Sequence, residues 1–176
     1  MENKALWDAC VKFHGHVCPG LAIGFRAVLA GFSCLGLDPA EADEEQVVCV
    51  AESDFCGIDA VMALSCCTVG KGNLVLRNSG KMAFSFFDRD AGTSVRLIIK
   101  PDVLQMPREE KLGYLLEAPE EALFLQKAPK YSMPEAAVVR KTVVCQMCGE
   151  PVMDAKTFSD GGRTVCSDCY HGFARW

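Results

Sequence analysis

The sequence predicts an α/β or α+β domain followed by a small zinc-binding module, and three observations lead there. Strand-like apolar runs alternate with helix-periodic stretches as far as Lys127, the pattern of helices packed on a sheet. Half of the 176 residues are apolar, enough for a core that needs no disulfides. Four of the eleven cysteines stand in two C-x2-C pairs near the C-terminus.

The elements follow in order. Lys4 to His14 reads as a helix, because Leu6, Trp7, Cys10, Val11 and His14 recur on one face and Gly15 stops it. Pro19 opens a second helix, which carries Leu21, Ile23, Phe25, Val28, Leu29 and Phe32 to a stop at Gly36. Glu41–Glu45 is an acidic turn, and Gln46–Ala51 a buried strand. A third helix begins near Cys56 or Gly57, turns Ile58, Val61, Met62 and Leu64 inward, and breaks in Gly70-Lys71-Gly72. Asn73–Arg77 is a short strand, and Met82–Phe87 with Val95–Lys100 a hairpin around Asp88–Gly92. Helical patterns cover Pro107–Leu116 and Pro119–Leu125. The chain therefore divides into a core domain over 1–127, a linker over 128–142 with Pro129, Pro134 and basic Lys130, Arg140 and Lys141, and a zinc-finger domain over 143–176.

Composition excludes some functions. A net charge of −5 argues against a dedicated nucleic-acid binder, though a small basic patch is compatible with it. No apolar run reaches the roughly 20 residues that span a bilayer. The polar start, Met1-Glu2-Asn3-Lys4, leads into an amphipathic helix and not a signal peptide, so the cytoplasm is the expected location. There the odd number of cysteines reads as metal ligands or reactive thiols, and thiols this numerous fit an anaerobic owner.

Cys145, Cys148, Cys166 and Cys169 supply four thiolates in two knuckles, the donor set of a closed structural zinc site. The spacer suits a hairpin, Lys156–Phe158 and Arg163–Val165 around Ser159-Asp160-Gly161-Gly162, and a short helix over Tyr170–Phe173 would give a treble-clef-like module, with a zinc ribbon as the alternative. So small a segment needs the metal to fold. His171 is a bystander, since four cysteines complete the shell; the competing reading is a redox pair or free thiols.

Two of the three histidines crowd into His14-Gly15-His16-Val17-Cys18, next to Pro19-Gly20. Imidazole and thiolate are good ligands for borderline-soft transition metals. Cys56 stands at the start of the third helix as Cys18 does at the second, where backbone N–H groups and the helix dipole lower a thiol's pKa. His16, Cys18 and Cys56 would then form a partial shell with an open position, as in catalytic or transfer sites, with Cys18 and Cys56 the candidate catalytic thiols. His14 is either a fourth ligand or the group that holds His16. The plainer reading makes Cys18 and Cys56 small buried residues and His14 a helix-end histidine. Cys10, Cys34 and Cys49 fit apolar faces and read as core, as does at least one of Cys66-Cys67. Gly70-Lys71-Gly72-Asn73 lacks the Walker spacing, so Lys71 is expected on a tight turn facing the cleft, a weak cofactor-binding candidate.

These residues form an ordered set: Phe13-His14-Gly15-His16-Val17-Cys18-Pro19-Gly20, Cys56-Gly57-Ile58-Asp59-Ala60, Cys67-Thr68-Val69-Gly70-Lys71-Gly72-Asn73-Leu74, Gly80-Lys81-Met82-Ala83-Phe84 and Asp88-Arg89. The set resembles the FmdE family of formylmethanofuran dehydrogenase proteins, some of whose members also carry a four-cysteine finger. The resemblance implies an α+β, thioredoxin-like core with a mixed sheet flanked by helices, then a treble-clef zinc finger. It also implies a metal site on His16, Cys18 and Cys56, association with a molybdenum-type dehydrogenase, and a homodimer.

Two functions compete. In the first, the chain is an accessory or enzymatic component of anaerobic one-carbon or molybdoenzyme metabolism, with zinc or another transition metal in the core site, structural zinc in the tail, and a molybdoenzyme or other protein as partner. Iron–sulfur spacing and a pterin domain are not visible, so the chain is not by itself the catalytic component of the dehydrogenase. In the alternative, the zinc finger docks a protein or nucleic acid while the core senses a metal or small ligand. Sequence alone leaves open whether the chain is an enzyme.

Overall fold

The computed structural model describes residues 3–41 and 45–172 and forms two compact units, one up to Ala137 and one from Val138 on. Most of the acidic turn expected at Glu41–Glu45, and Phe173 in the last expected helix, lie outside the described residues.

The first unit runs α1 (Lys4–His14), α2 (Pro19–Leu35), β1 (Val47–Ala51), α3 (Gly57–Leu64), β2 (Leu74–Leu76), β3 (Ala83–Asp88), β4 (Ser94–Ile99), α4 (Pro101–Gln105), α5 (Arg108–Glu117), α6 (Glu120–Leu123) and β5 (Phe124–Lys127). Its sheet has the order β2-β1-β3-β4-β5, with β1 and β2 parallel and every other pair antiparallel. The unit is thus α+β with a mixed sheet: a βαβ crossover through α3, then a β3–β4 hairpin beside β1, the order of a thioredoxin-like core.

Helix α2 is apolar nearly all round because it runs through the middle, against α3, α5 and strands β3 and β4. Leu21, Phe25, Val28 and Phe32 are buried with the inward residues of the sheet, Val47, Cys49, Phe84, Phe86 and Leu97. The opposite face of the sheet carries Val48, Val50 and Phe87, packed with Val75 and Tyr131. Tyr131 belongs to the segment expected as a linker. Arg77 lies over its ring at 4.4 Å, and Arg89 donates to the carbonyls of Pro134 and Glu135, so this stretch is held to the sheet's second face.

Four expectations change. The third helix ends at Leu64, well before the glycines: Ser65 Oγ donates back to the Val61 carbonyl, and Cys66 takes a left-handed φ of +55°. The pattern over Pro119–Leu125 yields only the short α6, after which Phe124–Lys127 adds an edge strand to β4, where ladder hydrogen bonds outweigh helical periodicity. Helix α4 has no counterpart in the sequence reading. Cys34, expected in the core, is exposed on the last turns of α2, while Cys10, Cys49 and Cys67 are buried.

Directly after β1, the buried Glu52 accepts two hydrogen bonds from the buried Arg96, at 2.5 and 3.0 Å. Arg96 holds the Glu52 carboxyl below its ordinary value, outweighing the burial that would raise it. A depressed carboxyl pKa contributes stability above the unfolded-state value, near 4.3 for glutamate, and that contribution is lost as pH falls through the folded-state value. Thermal unfolding is therefore expected to hold steady from neutral pH to about 4.3 and to fall below it. Glu52→Gln should melt lower at neutral pH, by the equivalent of about 3 kcal/mol, and lose part of the acid dependence.

The second unit pairs β6 (Thr142–Val144) with β7 (Pro151–Met153), passes a 3-10 turn, pairs β8 (Thr157–Asp160) with β9 (Arg163–Cys166) across Gly161-Gly162, and ends in α7 (Ser167–His171). Both turn glycines have positive φ, as a two-residue hairpin turn requires.

Candidate metal centres

The core site is assembled where α1 ends and α2 begins. Gly15 closes α1 in the left-handed region at φ +89°, its N–H bonded to the Val11 carbonyl, and so redirects the chain within one residue. Pro19 starts α2, and Cys18 caps it with an Sγ that accepts the Leu21 N–H at 3.3 Å. One ligand atom from each of His14, His16 and Cys18 falls within 4.8 Å of the others. His14 Nδ1 lies 2.7 Å from an Asp59 carboxylate oxygen, while its Nε2 faces Cys18 Sγ at 3.8 Å. A carboxylate on one imidazole nitrogen fixes the ring and leaves the other as the lone-pair donor, the arrangement that supports metal-binding histidines.

Cys56 comes from the start of α3. Helices α2 and α3 touch backbone to backbone: a Cβ on Gly24 would sit 2.1 Å from the Gly57 carbonyl oxygen, and a Cβ on Gly20 would lie 3.6 Å from Cys56 Sγ and 3.9 Å from Cys18 Sγ. That approach brings the two sulfurs together. The motif Cys56-Gly57-Ile58-Asp59 thereby divides its labour: a sulfur, the close backbone contact, a core side chain and the carboxylate on His14.

The thiol chemistry differs from the expectation. Burial pushes the Cys56 thiol up, and hydrogen bonding and charge from Cys18 push it further. Cys56 is itself helical in φ and ψ and makes no cap hydrogen bond through its side chain, so the helix start does not lower its pKa.

His16, Cys18, Gly20 and Cys56 line one side of an open cleft of about 360 Å³, with Arg108 and Lys111 of α5 on its wall. Lys71 does not line it; its backbone N–H bonds Thr68 Oγ1, and its charge acts on Cys67. Asp59, Arg108 and Lys111 escaped the sequence reading. Asp59 could have been found three residues after Cys56, whereas nothing near α5 marks it as a neighbour of residues about ninety positions earlier. Imidazole with thiolate in an open cleft fits a transition metal, zinc included, held on His14, His16 and Cys18 with Cys56 beside them.

In the second unit, Cys145, Cys148, Cys166 and Cys169 offer sulfurs that all lie within 4.8 Å of one another. Cys148 and Cys166 are 4.0 Å apart, close to the edge of about 3.8 Å in a tetrahedron with zinc–sulfur bonds of about 2.3 Å. Backbone N–H groups of Cys148, Cys166 and Met147 hold the Cys145 thiol down to about 6, while the Cys166 sulfur and burial push Cys169 up to about 12. The four cysteines fit a zinc site in which one thiolate is ready and others lose protons on binding.

Fold and sites together define an α+β protein with a His/Cys cluster in an open cleft, followed by a four-cysteine zinc-finger-like unit. The chain belongs to the FmdE family, whose description, "FmdE, Molybdenum formylmethanofuran dehydrogenase operon", covers residues 13–136. A crystal structure of an FmdE-like protein of tungsten formylmethanofuran dehydrogenase, from Syntrophus aciditrophicus, has a similar fold, with a TM-score of 0.65 at 24% identity over 96% of this chain and 92% of that one. A probable S-adenosyl-L-methionine-binding protein from Archaeoglobus fulgidus is 26% identical over 91% of this chain. The chain spans about half of that relative, 52% of its length. Among the described residues no helix is long and apolar enough to cross a membrane.

Proposed function

We propose that the chain is a metal-binding accessory or enzymatic protein of anaerobic one-carbon or molybdoenzyme metabolism, located in the cytoplasm. Its core cleft binds an exchangeable transition metal on His14, His16, Cys18 and Cys56, and a treble-clef-like tail holds structural zinc. The observation that carries this is the convergence of His14, His16 and Cys18, with Asp59 holding His14. Two imidazoles and a thiolate leave room for a further ligand, which Cys56 or a substrate can supply, and a metal there would act as a Lewis acid or as cargo. The open cleft suits a small-molecule ligand, and the Archaeoglobus relative's description points the same way. A homodimer and a molybdoenzyme partner belong to this reading.

Metal analysis of anaerobically purified protein tests it. The wild type should carry two ions per chain, whereas Cys56→Ser and His16→Ala should carry one, with the fold retained. Unchanged stoichiometry in both variants would sink the proposal.

A second reading, the tail as a docking module, draws on Phe158, Tyr170 and His171. These rings pack with centroids 4.6–4.8 Å apart, Phe158 and Tyr170 remain partly exposed, and such aromatic surfaces are common in interfaces.

A further inference from the structure

Arg108 and Lys111 stand one helical turn apart on α5 and both line the cleft that holds His16, Cys18 and Cys56. Arg108 is exposed and, among the described residues, has no hydrogen-bond or ion-pair partner. Lys111 is half-buried; its Nζ donates to the Leu104 carbonyl at 2.6 Å, which fixes the amine and leaves two of its three N–H donors free. No acidic side chain is among the described residues lining the cleft, although the chain as a whole carries a net charge of −5.

We infer that Arg108 and Lys111 recognise the carboxylate of a small ligand in this cleft, a reading that rests on the core site being a metal site. Charge balance supports it. A divalent ion with two thiolates and neutral imidazoles is uncharged overall, so the positive charge that meets an anion comes from α5. Group shape supports a carboxylate over a phosphate. One planar guanidinium fork matches the two oxygens of a carboxylate, whereas the third oxygen and extra charge of a phosphate would find only a lysine already engaged.

The test titrates acetate, and separately inorganic phosphate, into the full metal-loaded chain under anaerobic conditions, followed by amide chemical shifts. Acetate should saturate and shift the amides around Arg108 and Lys111. Arg108→Gln should weaken it about tenfold, and the Arg108→Gln, Lys111→Met double variant should not saturate, both with full metal content. If Arg108→Gln melts early, Arg108→Lys keeps the charge without the fork and should still bind several-fold more weakly. Wild-type affinity in the double variant, no saturation by acetate in the wild type, or saturation by phosphate alone would overturn the inference. Loss of metal in Cys56→Ser and His16→Ala reports on the metal reading separately. Unchanged metal content there, with acetate binding that still depends on Arg108, would remove that reading and leave the carboxylate site standing.

Discussion

Gly24→Ala is expected to lose the core metal and roughly 3 kcal/mol of stability together. The added Cβ would lie 2.1 Å from the Gly57 carbonyl oxygen, 2.5 Å from its Cα and 2.6 Å from its carbonyl carbon. All three are backbone atoms, so no side chain can rotate away and α2 must move off α3. Phe25, Ile58 and Val61 would then lose packing, and the Cys18 and Cys56 sulfurs would part. Gly113→Ala is the control: it lies inside α5 with no atom within 4 Å of an added Cβ, and a glycine replaced by alanine in a helix should be neutral or slightly stabilising. Thermal melts paired with metal analysis read both variants. A Gly24→Ala protein with normal melting and metal content would show that the helices can separate without disturbing the site.

Cys148→Ser should leave residues 142–171 unfolded while the first unit keeps its structure. Among the described residues of the second unit, only Cys145 and Val165 are buried hydrophobics, and its strands are two isolated pairs. Two-stranded ribbons are marginal alone, so the folding free energy must come from the metal, for which structural zinc contributes on the order of 10–16 kcal/mol. Amide spectra should lose the dispersed signals of 142–171 and keep those of 4–127, and a strong chelator should do the same to the wild type. A dispersed tail in the chelated protein would locate its stability elsewhere.

The parts of this fold that are legible in the sequence are those written in local chemistry. Gly15, Pro19 and Gly36 punctuate α1 and α2, and the observed helices keep to those stops within a residue or two. The C-x2-C pairs announce a four-sulfur cluster, because two residues between cysteines are enough to aim both at one point. Strand β5 is hidden because its pairing with β4 is a tertiary fact, and α3 ends on a serine hydroxyl and a left-handed cysteine, not on the glycines that follow. In the core site, the cluster of His14, His16 and Cys18 is visible from spacing. Arg108 and Lys111 are not, since only the packing of α5 on α2 carries them to the cleft.

The backbone contact at Gly24 and Gly57 has one more consequence. Because main chain meets main chain there, the two cysteine sulfurs sit like the jaws of a caliper whose opening is set by helix geometry and not by adjustable side chains. An ion entering between them must suit the opening, since the opening cannot widen to suit the ion. Choice among metals of similar intrinsic affinity then falls to size and preferred geometry, and a chain of common ligands becomes selective through the rigidity of its frame.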